Sequence, residues 1–209
     1  NVTAKLADGN YVKTIDTTGI FGRETIAEVA EVKVSLVLVT PPAGQLWEGG
    51  PVWADCNVEA TKPEDYGSIY RFDDDEAMTA AESLGDGGRL PTAEELTALI
   101  EACENGWTVR NGVNGYFFKG KGDYASNGIF LPAAGYNCYR GYEYAGVAGY
   151  YWSSMRSSST LAKDLVFSES GANVYNGNSG YYEPVRAVKD GAGLKPAENA
   201  EATAETGFR

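Results

Sequence analysis

Residues 92–103, with the sequence TAEELTALIEAC, carry the clearest local folding signal in the chain. Thr92 and Glu95 form a T-x-x-E capping box, in which each side chain accepts a hydrogen bond from the backbone N–H of the other residue. Apolar side chains follow at the i, i+3, i+4, i+7 spacing of one helix face; they are Leu96, Leu99, Ile100 and Cys103. The stretch predicts an amphipathic helix packed on a core, with Cys103 as a buried free thiol.

A second amphipathic helix is predicted just upstream, at residues 76–84. Asp74 or Asp75 is a suitable N-cap, and Gly85 is a suitable stop. Its apolar face would hold Met78, Ala81 and Leu84. The acidic run at residues 73–76 could instead be a calcium loop, but it lacks the alternating oxygen ligands and central glycine of such loops. We therefore favour helix capping and predict no metal site.

The two ends of the chain differ from its centre. Residues 32–39, VKVSLVLV, alternate in the manner of a strand and are followed by the linker TPPAG. Residues 1–43 are too few to bury a core alone, so they either add strands to a neighbour or end a preceding β domain of immunoglobulin or pilin type; we favour the second interpretation. Residues 191–209 have the composition of a flexible tail. The main domain is thus predicted at residues 44–190.

Composition excludes several classes of function. The chain of 209 residues has no histidine, which removes Ser-His and Cys-His nucleophiles and every His-containing metal site. Its net charge of −12 disfavours nucleic-acid binding, because phosphate contacts need clustered Lys and Arg. No apolar run is long enough to span a membrane. Without a P-loop or Rossmann pattern in its strand-turn-helix context, no cofactor is expected.

Tryptophans and cysteines fit structural roles. Trp47, Trp53, Trp107 and Trp152 are predicted to pack in the core rather than to serve as stacking platforms. The three cysteines are widely and irregularly spaced, which excludes a CxxC motif and permits at most one internal disulfide.

Residues 136–182 form a region rich in tyrosine. They contain nine Tyr, eight Ser, six Gly and four Asn, and their charges cancel. Tyrosine gives a large amphipathic contact area at small entropy cost, and Ser, Gly and Asn give adaptable hydrogen bonds, as in antibody paratopes. The alternative is a loop-rich domain whose tyrosines merely face solvent. Because the aromatics cluster in loops such as YNGNSGYY at residues 175–182, we favour a binding surface.

Several motifs occur in series along the main domain. They are LW at 46–47, VWADCNVEA at 52–60, KPEDYG at 62–67, RLPTAEE at 89–95, GVNGY at 112–116, IFLPAAGY at 129–136, GYYWSS at 149–154 and VRAVK at 185–189. In this order they resemble FISUMP-type major paralogous domains of gut bacteria, over about residues 46–189.

The resemblance implies an α+β, C-type-lectin-like fold with two helices, a small antiparallel sheet and a long irregular C-terminal region. The same fold hosts the variable proteins of diversity-generating retroelements, in which mutagenesis of Asn codons yields residues such as Tyr, Ser, Gly, Asp and Arg. By this similarity the ligand-facing residues are Asn137, Tyr139, Arg140, Tyr142, Tyr144, Arg156, Ser157, Ser159, Asn173, Tyr175, Asn176, Asn178, Tyr181 and Tyr182.

The sequence also departs from two relatives of that fold. Calcium-dependent lectins carry E-P-N or Q-P-D and W-N-D motifs, whereas Trp152 is followed by two serines and the first two motifs are absent. Formylglycine-generating enzymes need reactive cysteines in their C-terminal half, where Cys138 stands alone. Calcium-mediated sugar binding and formylglycine chemistry are therefore not expected.

We expect a non-catalytic, extracellular or cell-surface protein that binds a protein or glycan on a cell or phage-host surface. It would be an adhesin, a pilus tip or a receptor-binding module. One alternative is a carbohydrate-active enzyme using paired carboxylates, for which Glu143, Asp164, Glu169 and Glu183 are the candidates. The other is a structural pilus subunit, whose partners would be further pilus subunits.

Overall fold

The part of the chain that the structure describes is α+β, with two short helices and mostly antiparallel sheets. A computed structural model describes residues 44–83, 85 and 87–191. The predictions for residues 1–43, for Leu84 and for the tail beyond residue 191 lie outside the described residues.

Both predicted helices are present. Helix α1 spans Glu76–Glu82, and helix α2 spans Ala93–Ala102. The capping box of α2 is confirmed, because the Glu95 N–H donates to Thr92 Oγ1 at 3.1 Å and the Thr92 N–H donates to Glu95 Oε2 at 2.8 Å. The predicted core side of α2 is confirmed by the burial of Leu96, Leu99 and Cys103, and Ile100 packs against the same core.

The predicted capping of α1 by an aspartate is wrong. Asp75 occupies the N-cap position, but its φ is 59° and its side chain makes no capping hydrogen bond. An N-cap side chain reaches the first helical amides from extended backbone, which this left-handed residue does not have. The neighbouring acids bind arginines instead: Asp74 pairs with Arg71, and Asp73 pairs with Arg156.

Twelve strands occur among the residues that the structure describes. They are β1 Val52–Trp53, β2 Ile69–Arg71, β3 Glu104–Arg110, β4 Val113–Lys119, β5 Gly128–Pro132, β6 Tyr136–Cys138, β7 Gly141–Glu143, β8 Ala148–Arg156, β9 Leu161–Ser168, β10 Gly171–Asn178, β11 Tyr182–Pro184 and β12 Val188–Lys189. Single 3₁₀ turns lie at Asp73–Asp75 and Gly122–Tyr124.

The strands form four small sheets rather than one. Their orders are β1-β12, β3-β4-β5, β8-β9-β10 and β2-β11-β6-β7. The long irregular C-terminal region that the resemblance implied is therefore wrong, since most residues from 136 to 189 lie in strands. The region is rich in Gly, Ser and Asn, a composition typical of loops. Cross-strand pairing and the burial of alternate side chains nevertheless stabilise strands there.

Two hydrophobic clusters hold the domain together. The larger cluster packs α2 against strands of three sheets and includes Trp53, Leu96, Leu99, Phe118, Leu131, Tyr151, Leu165, Phe167 and Val188. The second cluster packs α1 around Trp152 and includes Phe72, Ala77, Ala81, Leu90 and Val185. Trp53 and Trp152 are buried and Trp47 and Trp107 pack against the larger cluster, as predicted.

A fully buried arginine ties distant parts of the domain together. Arg186 donates from Nε to Asn57 Oδ1 at 2.9 Å and from Nη2 to the Phe130 carbonyl at 3.0 Å. Its Nη1 donates to the carbonyls of Ala54 and Asp55 at 3.1 and 2.9 Å. Four acceptors without a carboxylate thus compensate a charge that would otherwise be costly to bury.

The same network continues to a buried tyrosine. Asn57 Nδ2 donates to Tyr151 Oη at 3.1 Å, and the Tyr151 hydroxyl donates to the Pro132 carbonyl at 2.8 Å. We call Arg186, Asn57 and Tyr151 the buried frame. Because its partners lie on β5, β8 and the segment after β1, the frame fixes three elements that are far apart in sequence.

Candidate ligand-binding face

The structure places the predicted ligand-facing residues on two sheets. One set lies on and beside β6, β7 and β11, and we call it the hairpin group: Asn137, Tyr139, Arg140, Tyr142, Tyr144, Tyr181 and Tyr182. The other lies at the end of β8, in the β8–β9 turn and on β10, and we call it the strand group: Arg156, Ser157, Ser159, Asn173, Tyr175, Asn176 and Asn178. We refer to the two groups together as the Tyr-rich face.

Strand register aligns part of the hairpin group in one row. Tyr142 is opposite Asn137, which is opposite Tyr182, which is opposite Arg71. Residues directly opposite each other in antiparallel strands share a sheet face. The Arg71 guanidinium carbon lies 5.9 Å from the centre of the Tyr182 ring, a cation–π arrangement. The row therefore alternates aromatic and hydrogen-bonding groups across four strands.

The tip of the β6–β7 hairpin carries the most exposed of these tyrosines. Tyr139 is 81% exposed. The Arg140 guanidinium carbon is 5.3 Å from its ring centre, and Arg140 Nε donates to its hydroxyl at 2.9 Å. Arg140 thereby restrains a ring that has few other contacts to hold it, which leaves its free side available to a partner.

Beneath the row, a column of tyrosine rings supports the hairpin group. The Tyr136 ring is nearly parallel to the Tyr181 ring, with 5.2 Å between the two ring centres. It also stacks on the Tyr144 ring, with 5.9 Å between the centres. Tyr150 meets Tyr136 edge-on at 4.7 Å. Offset and edge-to-face pairs of this kind stabilise aromatic clusters. Tyr144 and Tyr181 are thus positioned by rings that sequence reasoning did not single out.

The sequence-based predictions do not include Tyr136 and Tyr150 among the site residues. For Tyr136, strand alternation is the sequence feature that could have indicated its supporting role. Tyr136 alternates with Asn137 along β6, so the two side chains point to opposite faces. The Tyr136 hydroxyl donates to Glu143 Oε2 at 3.1 Å, and burial together with that carboxylate raises the pKa of Tyr136 far above its usual value. A strand predicted at residues 136–138 would have placed the supporting Tyr136 ring on the sheet face opposite to the exposed side chains.

The strand group has one prominent aromatic residue. Tyr175 is 54% exposed and lies on β10, one of the two edge strands of its sheet. Ser157 Oγ donates to Asn176 Oδ1 at 2.7 Å, which joins the β8–β9 turn to this strand. Ser159 is exposed in the same turn. Tyr175 and Asn176 are consecutive on β10, so their side chains point to opposite faces of the sheet.

Three members of the strand group also make internal contacts. Arg156 donates to Asp73 Oδ1 at 2.8 Å, and its guanidinium carbon lies 4.9 Å from the centre of the Phe72 ring. Asn173 and Asn178 accept hydrogen bonds from nearby backbone amides through their side-chain oxygens. Arg156 therefore links the strand group to the turn before α1, besides presenting its exposed part to solvent.

Tyr150 connects the two groups. It is opposite Val166 in the β8–β9 pair, and Val166 is opposite Asn173 in the β9–β10 pair. The Tyr150 ring also contacts Tyr136 and Tyr144. The sheet that carries Tyr175 therefore packs, through Tyr150, against the ring column that supports the hairpin group.

The carboxylates of the enzymatic alternative do not line an open cleft. Asp164 is 2% exposed and Glu183 is 1% exposed. Burial raises the pKa of Asp164 to about 7, and burial followed by repulsion from Asp164 raises the pKa of Glu183 well above its usual value. Glu143 accepts from Tyr136, and Glu169 lies exposed in the β9–β10 turn. In this structure a substrate has no access to Asp164 or Glu183.

Two grooves occur elsewhere on the domain. One of about 450 Å³ is lined by residues 52–60 with Ser83, Ala187 and Lys189. The other, of about 510 Å³, lies on the β3-β4-β5 sheet beside Phe117 and Arg110. Neither groove includes a residue of the Tyr-rich face.

Among residues 44–83, 85 and 87–191, no group of three or more Cys, Asp and Glu side chains is arranged to hold a metal ion. Within the same described ranges, no helix has the length and apolar character needed to cross a membrane.

Comparison of the chain with protein-family models, with curated proteins and with solved structures finds no match in any of the three.

Proposed function

We propose that this protein is a non-catalytic, surface-exposed binding module that recognises a macromolecule through the Tyr-rich face. The observation that carries the proposal is the exposure of its aromatic residues. Among the described residues, eight large hydrophobic side chains are exposed, and five of them are tyrosines. All five belong to the hairpin and strand groups: Tyr139, Tyr142, Tyr144, Tyr175 and Tyr182. Clustered exposed aromatics mark interaction sites more often than single ones do.

The arrangement of these tyrosines suits the recognition of a protein or glycan. A tyrosine ring covered by a partner buries on the order of 150 Å², which contributes about 3 kcal/mol before ordering costs. Rings held by Arg140 or by stacking on Tyr136 lose little further freedom on binding. Asn and Ser side chains beside them can satisfy the polar groups of the partner. The face therefore combines aromatic anchors with a polar rim.

A C-type-lectin-like fold of the FISUMP type is part of the proposal. Two helices and small antiparallel sheets are compatible with it. In addition, β1 pairs with β12, so that residues 52–189 close on themselves over nearly the extent of the sequence resemblance. On this proposal the protein acts outside the cell, as an adhesin, a pilus tip or a receptor-binding module, and the Tyr-rich face holds the positions that vary.

The test is a binding screen with matched variants. The purified chain is applied to a glycan array and to a panel of purified cell-surface proteins, together with a Tyr139→Ala/Tyr175→Ala variant. Val109→Ala is the control, because Val109 is exposed on the β3-β4-β5 sheet and outside both groups. We expect the wild type and the control to bind the same target and the double variant to lose it. Binding by the double variant at wild-type strength would contradict the proposal.

A further inference from the structure

Strand β10 forms one edge of the β8-β9-β10 sheet, and within the described residues no other strand pairs with its outer side. It pairs with β9 along its whole length without a shift in register. The opposite edge of the sheet is engaged, because Gly149 of β8 bridges to Gly135 and the Ser154 N–H donates to the Pro91 carbonyl at 2.8 Å. A further strand can therefore join this sheet at β10.

Hydrogen bonds show which backbone groups of β10 point away from β9. In antiparallel strands, residues that bond to one neighbour alternate with residues whose N–H and C=O point to the other side. The Lys163 carbonyl of β9 accepts a hydrogen bond from β8, so Asn176, which is opposite Lys163, does not bond to β9. The Val174 N–H likewise donates to Asn173 Oδ1 at 2.8 Å. The N–H and C=O groups of Ala172, Val174 and Asn176 therefore point to the free edge.

β10 lacks the features that usually prevent pairing at an exposed edge. Natural edge strands are protected by charged residues, prolines, bulges or short length. β10 has eight residues, GANVYNGN, with no charge, no proline and no bulge. By contrast, the edge strand β3 carries Glu104 and Arg110, and the edge strand β5 ends in Pro132. The edge strands β2 and β7 have three residues each. β10 is thus a long edge strand without such protection.

The side chains beside this edge are apolar and only half-buried. Ala172 and Val174 pack against the larger hydrophobic cluster from its rim, as does Ile100 of α2. Because they remain partly exposed, a strand added to β10 would remove apolar surface from water, which favours association. Pairing at this edge therefore gains apolar burial as well as backbone hydrogen bonds.

We propose that β10 pairs antiparallel with β10 of a second copy of this chain and joins the two sheets into one continuous sheet. A two-fold axis at Val174 places Val174 opposite Val174 of the second copy, and Ala172 opposite Asn176. These are the residues whose N–H and C=O groups point outward, so each pair exchanges two hydrogen bonds. The Val174 N–H then exchanges its local acceptor, Asn173 Oδ1, for a carbonyl of the second copy.

The charge of this edge favours a second copy as the occupant. Like charges directly opposite each other would destabilise the pairing of identical strands, and β10 has no charged residue. In the two-fold arrangement Gly171 is opposite Gly177, so the turn that carries Glu169 approaches residues 178–182, which are uncharged. The net charge of −12 on each copy opposes association at longer range, so dimer formation should strengthen as salt is added.

Sedimentation velocity of the purified chain at increasing concentration tests the proposal. It needs no ligand, so its outcome is independent of the proposed function. We expect the wild type to change from the mass of one chain to the mass of two. Val174→Pro removes an outward N–H and leaves the bonds to β9, a position at which edge strands tolerate proline, so it should stay monomeric. Val174→Thr keeps the N–H and the branched shape and should dimerise like the wild type.

A second pair of variants decides the question if Val174→Pro does not fold. Asn173→Glu/Tyr175→Glu places like charges opposite each other across the two-fold axis, at positions that are exposed in the monomer. Val109→Glu/Ser126→Glu adds the same charge to exposed residues outside β10 and is the control. We expect the first variant to dimerise about tenfold more weakly than the control, and the difference to shrink at high salt.

Three results would overturn the proposal. The first is a wild-type chain that stays monomeric at every concentration and salt condition. The second is a folded Val174→Pro protein that dimerises like Val174→Thr. The third is an Asn173→Glu/Tyr175→Glu protein that dimerises as tightly as its control, because the dimer would then form through another surface.

Discussion

The buried frame and the Tyr-rich face use tyrosine in opposite ways. Tyr151 is fully buried, and its hydroxyl has partners on both sides, Asn57 and Pro132. Tyr139 is mostly exposed, and the partner of its hydroxyl is the adjacent Arg140. A hydroxyl with distant partners fixes the fold, whereas one held locally leaves its ring free for another molecule. The comparison shows that the hydrogen-bond partners of a tyrosine, and not the residue type alone, indicate whether it stabilises the fold or is free to bind.

Replacing Arg186 should give the largest effect on stability. Arg186→Met removes the donors of four hydrogen bonds and leaves Asn57 without its charged partner. We expect the free energy of unfolding to fall by at least about 3 kcal/mol, measured by urea denaturation. The same change at the exposed Arg140 should stay within about 0.5 kcal/mol. Equal losses of unfolding free energy in the two variants would contradict the distinction between the buried frame and the Tyr-rich face.

Removing one hydroxyl from the frame should have a smaller effect. Tyr151→Phe retains the ring packing against Phe167 but deletes the hydrogen bonds to Asn57 and Pro132. We expect a loss of about 1–2 kcal/mol in the free energy of unfolding. Tyr175→Phe is the matched control on the face and should change stability by less than about 0.5 kcal/mol. A larger loss for Tyr175→Phe would place that residue among those that stabilise the fold.

Tyr136 lies between the two regions and should give an intermediate result. Tyr136→Phe keeps the stacking with Tyr181 and deletes the bond to Glu143, which is only half-buried. We expect thermal denaturation to report a loss of about 0.5–1 kcal/mol. A loss as large as that of Tyr151→Phe would show that the ring column belongs to the frame.

The parts of the fold that the sequence predicted depend on local signals. The capping box of α2 and its apolar spacing need only residues 92–103, and both are present. Composition indicated that residues 136–182 are rich in tyrosine, and the individual ligand-facing tyrosines were predicted from the family resemblance. Local patterns sufficed wherever the partners of a residue lie within a few positions of it.

The parts that the sequence did not predict depend on distant partners. Arg186 bonds to residues 56 to 132 positions away, so no window of sequence contains its acceptors. Asp164 is an acid in a strand that alternates between buried and half-buried residues, and its burial follows from pairing with β8 and β10. The aspartate cap of α1 was wrong because the N-cap residue Asp75 has left-handed backbone, and the other candidate, Asp74, pairs with Arg71.

The most direct test of the central claim compares two variants in one binding experiment. With a target from the screen, affinity is measured for Tyr139→Ala/Tyr175→Ala and for Tyr151→Phe at a temperature at which both are folded. We predict that the face variant loses at least about 30-fold in affinity while its unfolding free energy stays within about 1 kcal/mol of the wild type. Tyr151→Phe should bind like the wild type despite its lower stability. A face variant that binds normally, or that unfolds, would contradict the assignment of these tyrosines to recognition.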